Sequence, residues 1–144
     1  MEFVEKLKRM RGQVKVWVDG VLVADDHNMI VDDGLELIAQ RIAGEEVELP
    51  TLLKFGTSSA STAHGMHALQ GTVLFTKSMT MTRTDNKLKW LFDGTYTGEG
   101  IVKIGEMGIF NSSETMLCRF VPVPAFNVNT GSTLKVSWEI QMGV

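Results

Sequence analysis

The stretch TLKVSWEIQM, residues 133–142, decides how this chain is read. In it Leu134, Val136, Trp138, Ile140 and Met142 alternate with Thr133, Lys135, Ser137, Glu139 and Gln141. Side chains of a strand point to opposite faces in turn, whereas a helix would scatter these two sets around its circumference. The segment is therefore a strand with one face on a core. The same period recurs in QVKVWV, residues 13–18, where Val14, Val16 and Val18 share a face. Asp19 and Gly20 follow and supply a two-residue hairpin turn, which needs positive φ at both positions. The return strand is VLVAD, residues 21–25.

Working outward, shorter strands are predicted at Leu52 to Phe55, at Thr72 to Arg83 and from Leu88 through Trp90 and Phe92. Ile101 to Phe110 and Met116 to Val121 follow. Pro122 and Pro124 lack the N–H of a ladder residue, which makes the segment from Met116 an edge strand or the start of a loop. One helix is expected from about Asp33 to Ala43, with Asp33 as N-cap and Glu36 reaching back to it in a capping box. Its apolar stripe is Leu35, Ile38, Ala39 and Ile42. Gly44 occupies the place of a left-handed C-cap residue. About eight strands at this spacing and one short helix predict a mainly β protein, an antiparallel β-sandwich or jelly roll.

The 144 residues suit one domain, assigned to 12–144, preceded by an arm at 1–11. A net charge of −3 provides no global basic field, so nucleic acid is not an expected partner. No apolar run approaches the roughly 20 residues of a membrane helix, and MEFVEKLKRMRG has no secretory h-region. The single cysteine, Cys118, excludes an internal disulfide and a cysteine-cluster zinc site. These features describe a soluble protein kept in a reducing compartment.

Reactive constellations fall short of their requirements. His64 and His67 are three apart, but Gly65 separates them and no carboxylate lies nearby in sequence, so no metal is assigned. Cys118 sits in the apolar run MLCRF, where a cysteine is an inert small hydrophobe. The serines at 58, 59 and 61 lack the Gly-x-Ser-x-Gly turn, and Gly56 to Ser59 lacks the Gly-Lys of a phosphate loop. Glu99 and Glu106 are seven apart and fall on opposite faces of a regular strand. Glu106, flanked by glycines, reads as a buried or interface hydrogen-bonding carboxylate. No catalytic residue and no cofactor are predicted.

Two segments and one side chain point to protein contact instead. In the arm, Phe3, Val4 and Leu7 approximate one helical face, with Lys6, Lys8 and Arg9 as its charges. The run from Gly56 to Gln70, carrying His64, Met66 and His67, is long for a loop inside a compact domain. Trp17, opposite the valine face, is a candidate interface anchor.

Taken together, several segments carry a resemblance. They are GQVKVWVDGV (12–21), HNMIVDDGLELIA (27–39), LKFGTSSASTA (53–63), IGEMGIFN (104–111), MLCRF (116–120) and TLKVSWEI (133–140). This layout resembles small β-sandwich structural proteins of tailed bacteriophages, the capsid decoration and tail-associated domains. The resemblance implies a non-enzymatic virion protein, assembled as a homo-oligomer with a trimer favoured. It implies attachment to the major capsid protein, as a decoration or cement protein on the capsid surface, after synthesis in the host cytoplasm. A tail, baseplate or fibre adaptor bound to a tail protein is the alternative. A further one is a carbohydrate-binding recognition module using Trp17, Trp90 and Tyr96 as stacking surface.

Overall fold

The computed structural model describes residues 10–143, and the hairpin near its start anchors the rest. Strand β1 (Arg11–Val18) turns at Asp19 and Gly20, with φ of 50° and 79°, into β2 (Val21–Ile30). Positive φ at both positions matches the twist of the flanking strands. Helix α1 (Asp32–Ile42) comes next. It is followed by β3 (Leu52–Gly56), β4 (Val73–Ser78), β5 (Thr80–Thr84) and β6 (Lys87–Thr95). The chain ends with β7 (Ile101–Ile104), β8 (Glu106–Phe110), β9 (Met116–Phe120), β10 (Phe126–Asn129) and β11 (Thr133–Gln141). Eleven strands among the described residues replace the eight or so expected, because Thr72 to Arg83 and Ile101 to Phe110 each divide in two and β10 forms where no strand was expected.

Nine strands form one antiparallel sheet in the order β4-β3-β8-β9-β2-β1-β11-β6-β5, and β7 pairs with β10 beside it. β2 is the corner. Its residues up to Asn28 pair with β1, whereas Met29 and Ile30 pair with β9. The sheet thus folds into two layers whose inner faces meet. Val14, Val16, Val136, Trp138 and Ile140 from the first layer pack in one core with Leu53, Phe55, Met107, Ile109 and Phe120 from the second. The rings of Phe120 and Trp138 meet edge to face at 6.1 Å between centroids, a favoured aromatic geometry. Only Met79 separates the two edge strands β4 and β5, so the chain steps from one margin of the sheet to the other. The mainly β, antiparallel sandwich expected from the sequence is the architecture observed, with barrel-like closure at this step.

Five expectations need correction or placement. β9 is an internal strand between β8 and β2, not an edge. Its ladder ends at Phe120, so the missing N–H of Pro122 falls outside it. The N-cap of α1 is Val31, and no side chain caps the helix. Asp33 lies within the first turn, where its charge complements the helix dipole, and Glu36 is exposed without closing a capping box. The buried face of α1 is also different: Gly34 and Leu37 are buried, while Leu35 is 43% and Ile42 82% exposed. Gly34 explains this, since a Cβ there would lie 2.0 Å from the Leu117 carbonyl oxygen of β9. Gly44 has a φ of +80° just beyond the helix, the left-handed conformation that glycine adopts without strain. The arm residues Phe3, Val4, Lys6, Leu7, Lys8 and Arg9 lie outside the described residues.

Candidate functional site

The segment from Thr57 to Thr72 contains no strand or helix, yet it is pinned over the outer face of the second layer. Glu106 and Arg119 hold it there. β8 and β9 are paired with Gly108 opposite Arg119, and Glu106 stands two residues along on the same face. The two side chains are fully buried and form an ion pair, Arg119 Nη2 to Glu106 Oε1, at 3.0 Å. Arg119 Nε donates to the same oxygen at 3.0 Å. Backbone N–H groups of the loop donate to the carboxylate from Ser58 (2.9 Å), Gln70 (2.8 Å) and Gly71 (2.7 Å). In return the Arg119 guanidinium donates to the Ala60 carbonyl at 2.7 Å and to Thr62 Oγ1 at 2.8 Å.

Close approach of the backbone makes this possible. A Cβ on Gly56 would stand 2.7 Å from Glu106 Oε2, and one on Gly105 would stand 2.5 Å from the Thr57 carbonyl oxygen. Burial alone pushes the Glu106 carboxyl up, because a charged group loses its hydration. The three backbone N–H groups and Arg119 outweigh that and hold it below its ordinary value. The site therefore contains an ionised carboxylate enclosed by donors on all sides. Both of its oxygens accept from the loop backbone, Oε1 from Gln70 and Oε2 from Ser58 and Gly71.

The loop's apolar side chains complete the attachment. Leu69 packs with Val31, Phe110 and Met116, and the half-buried Met66 packs against that cluster. His64 is exposed and gives its carbonyl to the Asp32 N–H of α1 at 2.8 Å. His67 is also exposed, and its Nδ1 lies 2.7 Å from an Asp33 carboxylate oxygen. That hydrogen bond, reinforced by the Asp33 charge, raises the His67 pKa above 6.5. Asp33 thus joins loop to helix instead of capping the helix. Among the described residues no group of three His, Cys, Asp or Glu side chains is placed to hold a metal ion.

Trp17 belongs to a different surface. It lies on the outward face of the first layer, partly exposed, with Lys135 Nζ 5.3 Å from its ring centroid. The exposed Leu22 is its cross-strand neighbour. Trp90 is fully buried, and its indole N–H donates to the Pro50 carbonyl at 2.7 Å. Tyr96 is 6% exposed. The three aromatic residues considered for sugar stacking therefore form no common open face, which corrects that expectation. Cys118 is buried, and burial pushes its thiol pKa well up, as expected of an inert core cysteine.

Arg119 was not singled out from the sequence. The available signal was a lone arginine inside the apolar run MLCRF, since arginine is almost never fully buried without a partner. Glu106, an internal carboxylate between glycines, was the complementary half. No helix among the described residues is long and apolar enough to cross a membrane. Comparison of the chain with protein-family models, curated proteins and solved structures returns no match.

Proposed function

We propose that this chain is a non-enzymatic structural protein of a tailed bacteriophage virion, a decoration or cement protein that binds the assembled head. One observation carries the proposal beyond the layout of its segments. A loop of sixteen residues, from Thr57 to Thr72, is built into a fixed surface by a buried ion pair and three backbone hydrogen bonds. Ordering such a loop before contact removes an entropic cost from association. A fixed polar surface bearing His64 and His67 suits docking on a repeated protein lattice. The partly exposed Trp17 and the exposed Leu22 supply an apolar anchor on the other layer.

The mechanism is linkage. A chain that binds only where neighbouring capsomers meet stabilises the assembled shell, because its contacts vanish when the shell comes apart. A symmetric homo-oligomer, with a trimer favoured, would multiply each weak contact. The major capsid protein is the proposed partner. The test is co-sedimentation of the purified protein with capsids that lack it. Ala63→Arg in the loop and Trp17→Ala on the other layer should each weaken retention about tenfold or more without lowering the melting temperature. Failure of the unmodified protein to sediment with capsids would refute the proposal.

A further inference from the structure

A hollow of about 270 Å³ lies on the outward face of the first layer, lined by Trp17, Gly20, Asp93, Thr133 and Lys135. The sheet register builds it. Trp17 of β1 pairs with Lys135 of β11, and Lys135 pairs in turn with Asp93 of β6. The three side chains thus stand in one row, two strand spacings or about 10 Å across. Thr133 lies two residues from Lys135 on the same face. Gly20 forms the rim, and a Cβ there would meet nothing within 4 Å, so nothing walls the hollow on that side. The rim is held in place by its neighbours: the Asp19 N–H donates to the Thr133 carbonyl at 2.9 Å, and the Asp19 carboxylate accepts from the Thr133 N–H at 2.9 Å. Among the described residues neither Asp93 nor Lys135 takes part in a salt bridge.

These groups select a ligand by chemistry. The indole face of Trp17 attracts apolar C–H groups. Asp93 accepts hydrogen bonds, Lys135 donates them, and the Thr133 hydroxyl does either. A wholly apolar ligand would strip water from Asp93 and Lys135 without replacing it, which costs free energy. One carboxylate and one ammonium leave no net charge, so a simple anion or cation gains little from the two together. A pyranose meets every demand, with an apolar C–H face, hydroxyls that both donate and accept, and no charge. An apolar cavity of about 150 Å³ accommodates a benzene ring, so this hollow has room for one sugar ring with its hydroxyls. Lys135 Nζ stands 5.3 Å from the Trp17 ring centroid, a weak contact at an exposed site, and can turn from the ring to a hydroxyl. We propose that the hollow binds one neutral hexose unit of a glycan, stacked on Trp17 and held through its hydroxyls by Asp93, Lys135 and Thr133. The burial of Trp90 and Tyr96 removes a wider platform and leaves this single subsite, with an affinity of about millimolar per copy. The inference goes beyond the virion proposal and does not rest on it. One ring serves one partner at a time, so on a virion the saccharide and the capsid would compete for Trp17.

NMR titration of the purified full chain with the methyl glycosides of glucose, galactose and mannose tests it. Trp90 and Trp138 are fully buried, so of the three indole N–H signals only that of Trp17 should shift. At least one glycoside should move it and saturate at about millimolar concentration, whereas sorbitol, an acyclic polyol, should leave it in place. Trp17→Ala should abolish binding, read in that variant from the Gly20 and Lys135 amide signals. Asp93→Asn, at an exposed position where folding is undisturbed, should weaken binding about tenfold or more. No shift with any of the three glycosides, an equal shift with sorbitol, or undiminished binding in Asp93→Asn would overturn the proposal. Glycoside binding by a chain that fails to sediment with capsids would uphold this inference and refute the virion proposal alone.

Discussion

Replacing Glu106 with glutamine keeps the shape of the side chain and removes its charge, which makes it the sharpest perturbation of the buried pair. Arg119 would then be fully buried without a counter-ion, and the amide NH₂ would face either the Ser58 and Gly71 N–H groups or the Gln70 N–H and Arg119 itself. Breaking a buried pair by removing one partner destabilises by about 3–5 kcal/mol. A clash of donors adds to this in the direction of greater loss. At about 2–4 °C per kcal/mol for a chain near this size, Glu106→Gln should lower the melting temperature by about 6–20 °C. Urea and thermal unfolding followed by tryptophan fluorescence measure it, with the exposed Glu48→Gln as control, expected within about 0.5 kcal/mol. Native-state hydrogen exchange should show the Ser58, Gln70 and Gly71 amides losing protection first. A loss below about 1 kcal/mol, or protection unchanged at those amides, would refute the role given to the pair.

Other outcomes follow from the same geometry. Because the folded-state pKa of Glu106 lies below its ordinary value of 4.5, the unfolded chain binds its proton first as pH falls. The pair's stabilisation is thus present above pH 4.5 and lost as pH falls through the folded pKa, a slope in acid unfolding that Glu106→Gln should lack. Gly34→Ala, stabilising in an ordinary helix, should here destabilise by about 1–3 kcal/mol through collision with the Leu117 carbonyl, as read from urea midpoints. The His67 ring should titrate by NMR above 6.5, and Asp33→Asn should lower that midpoint. Cys118 should react with a thiol reagent only at the rate of unfolding, giving no fast phase in native protein.

The parts of the fold legible in the sequence are those that rest on local alternation and turn chemistry. Leu134, Val136, Trp138 and Ile140 are buried as their spacing requires, and Asp19 and Gly20 form the expected turn. The helix was legible as a helix but not in its orientation. An apolar count selects Leu35 and Ile42, whereas the face is chosen by Gly34, whose contribution is the side chain it lacks. The internal position of β9 was hidden because Pro122 stands near the strand without taking part in its ladder. For the candidate site, the flanking glycines drew attention to Glu106, but nothing local names Arg119, 13 residues away, as its partner. Their meeting depends on the β8–β9 register, a tertiary property. The hydrogen bonds that Ser58, Gln70 and Gly71 make belong to the same class, since any backbone N–H is equally able to form them.

The most direct test of the central claim is the copy number of this chain in purified virions, measured against the major capsid protein. A decoration protein follows the symmetry of the shell. A ratio near one, or a simple fraction of it, is therefore expected, amounting to roughly hundreds of copies per particle. A handful or a few dozen copies, or none, would contradict shell decoration.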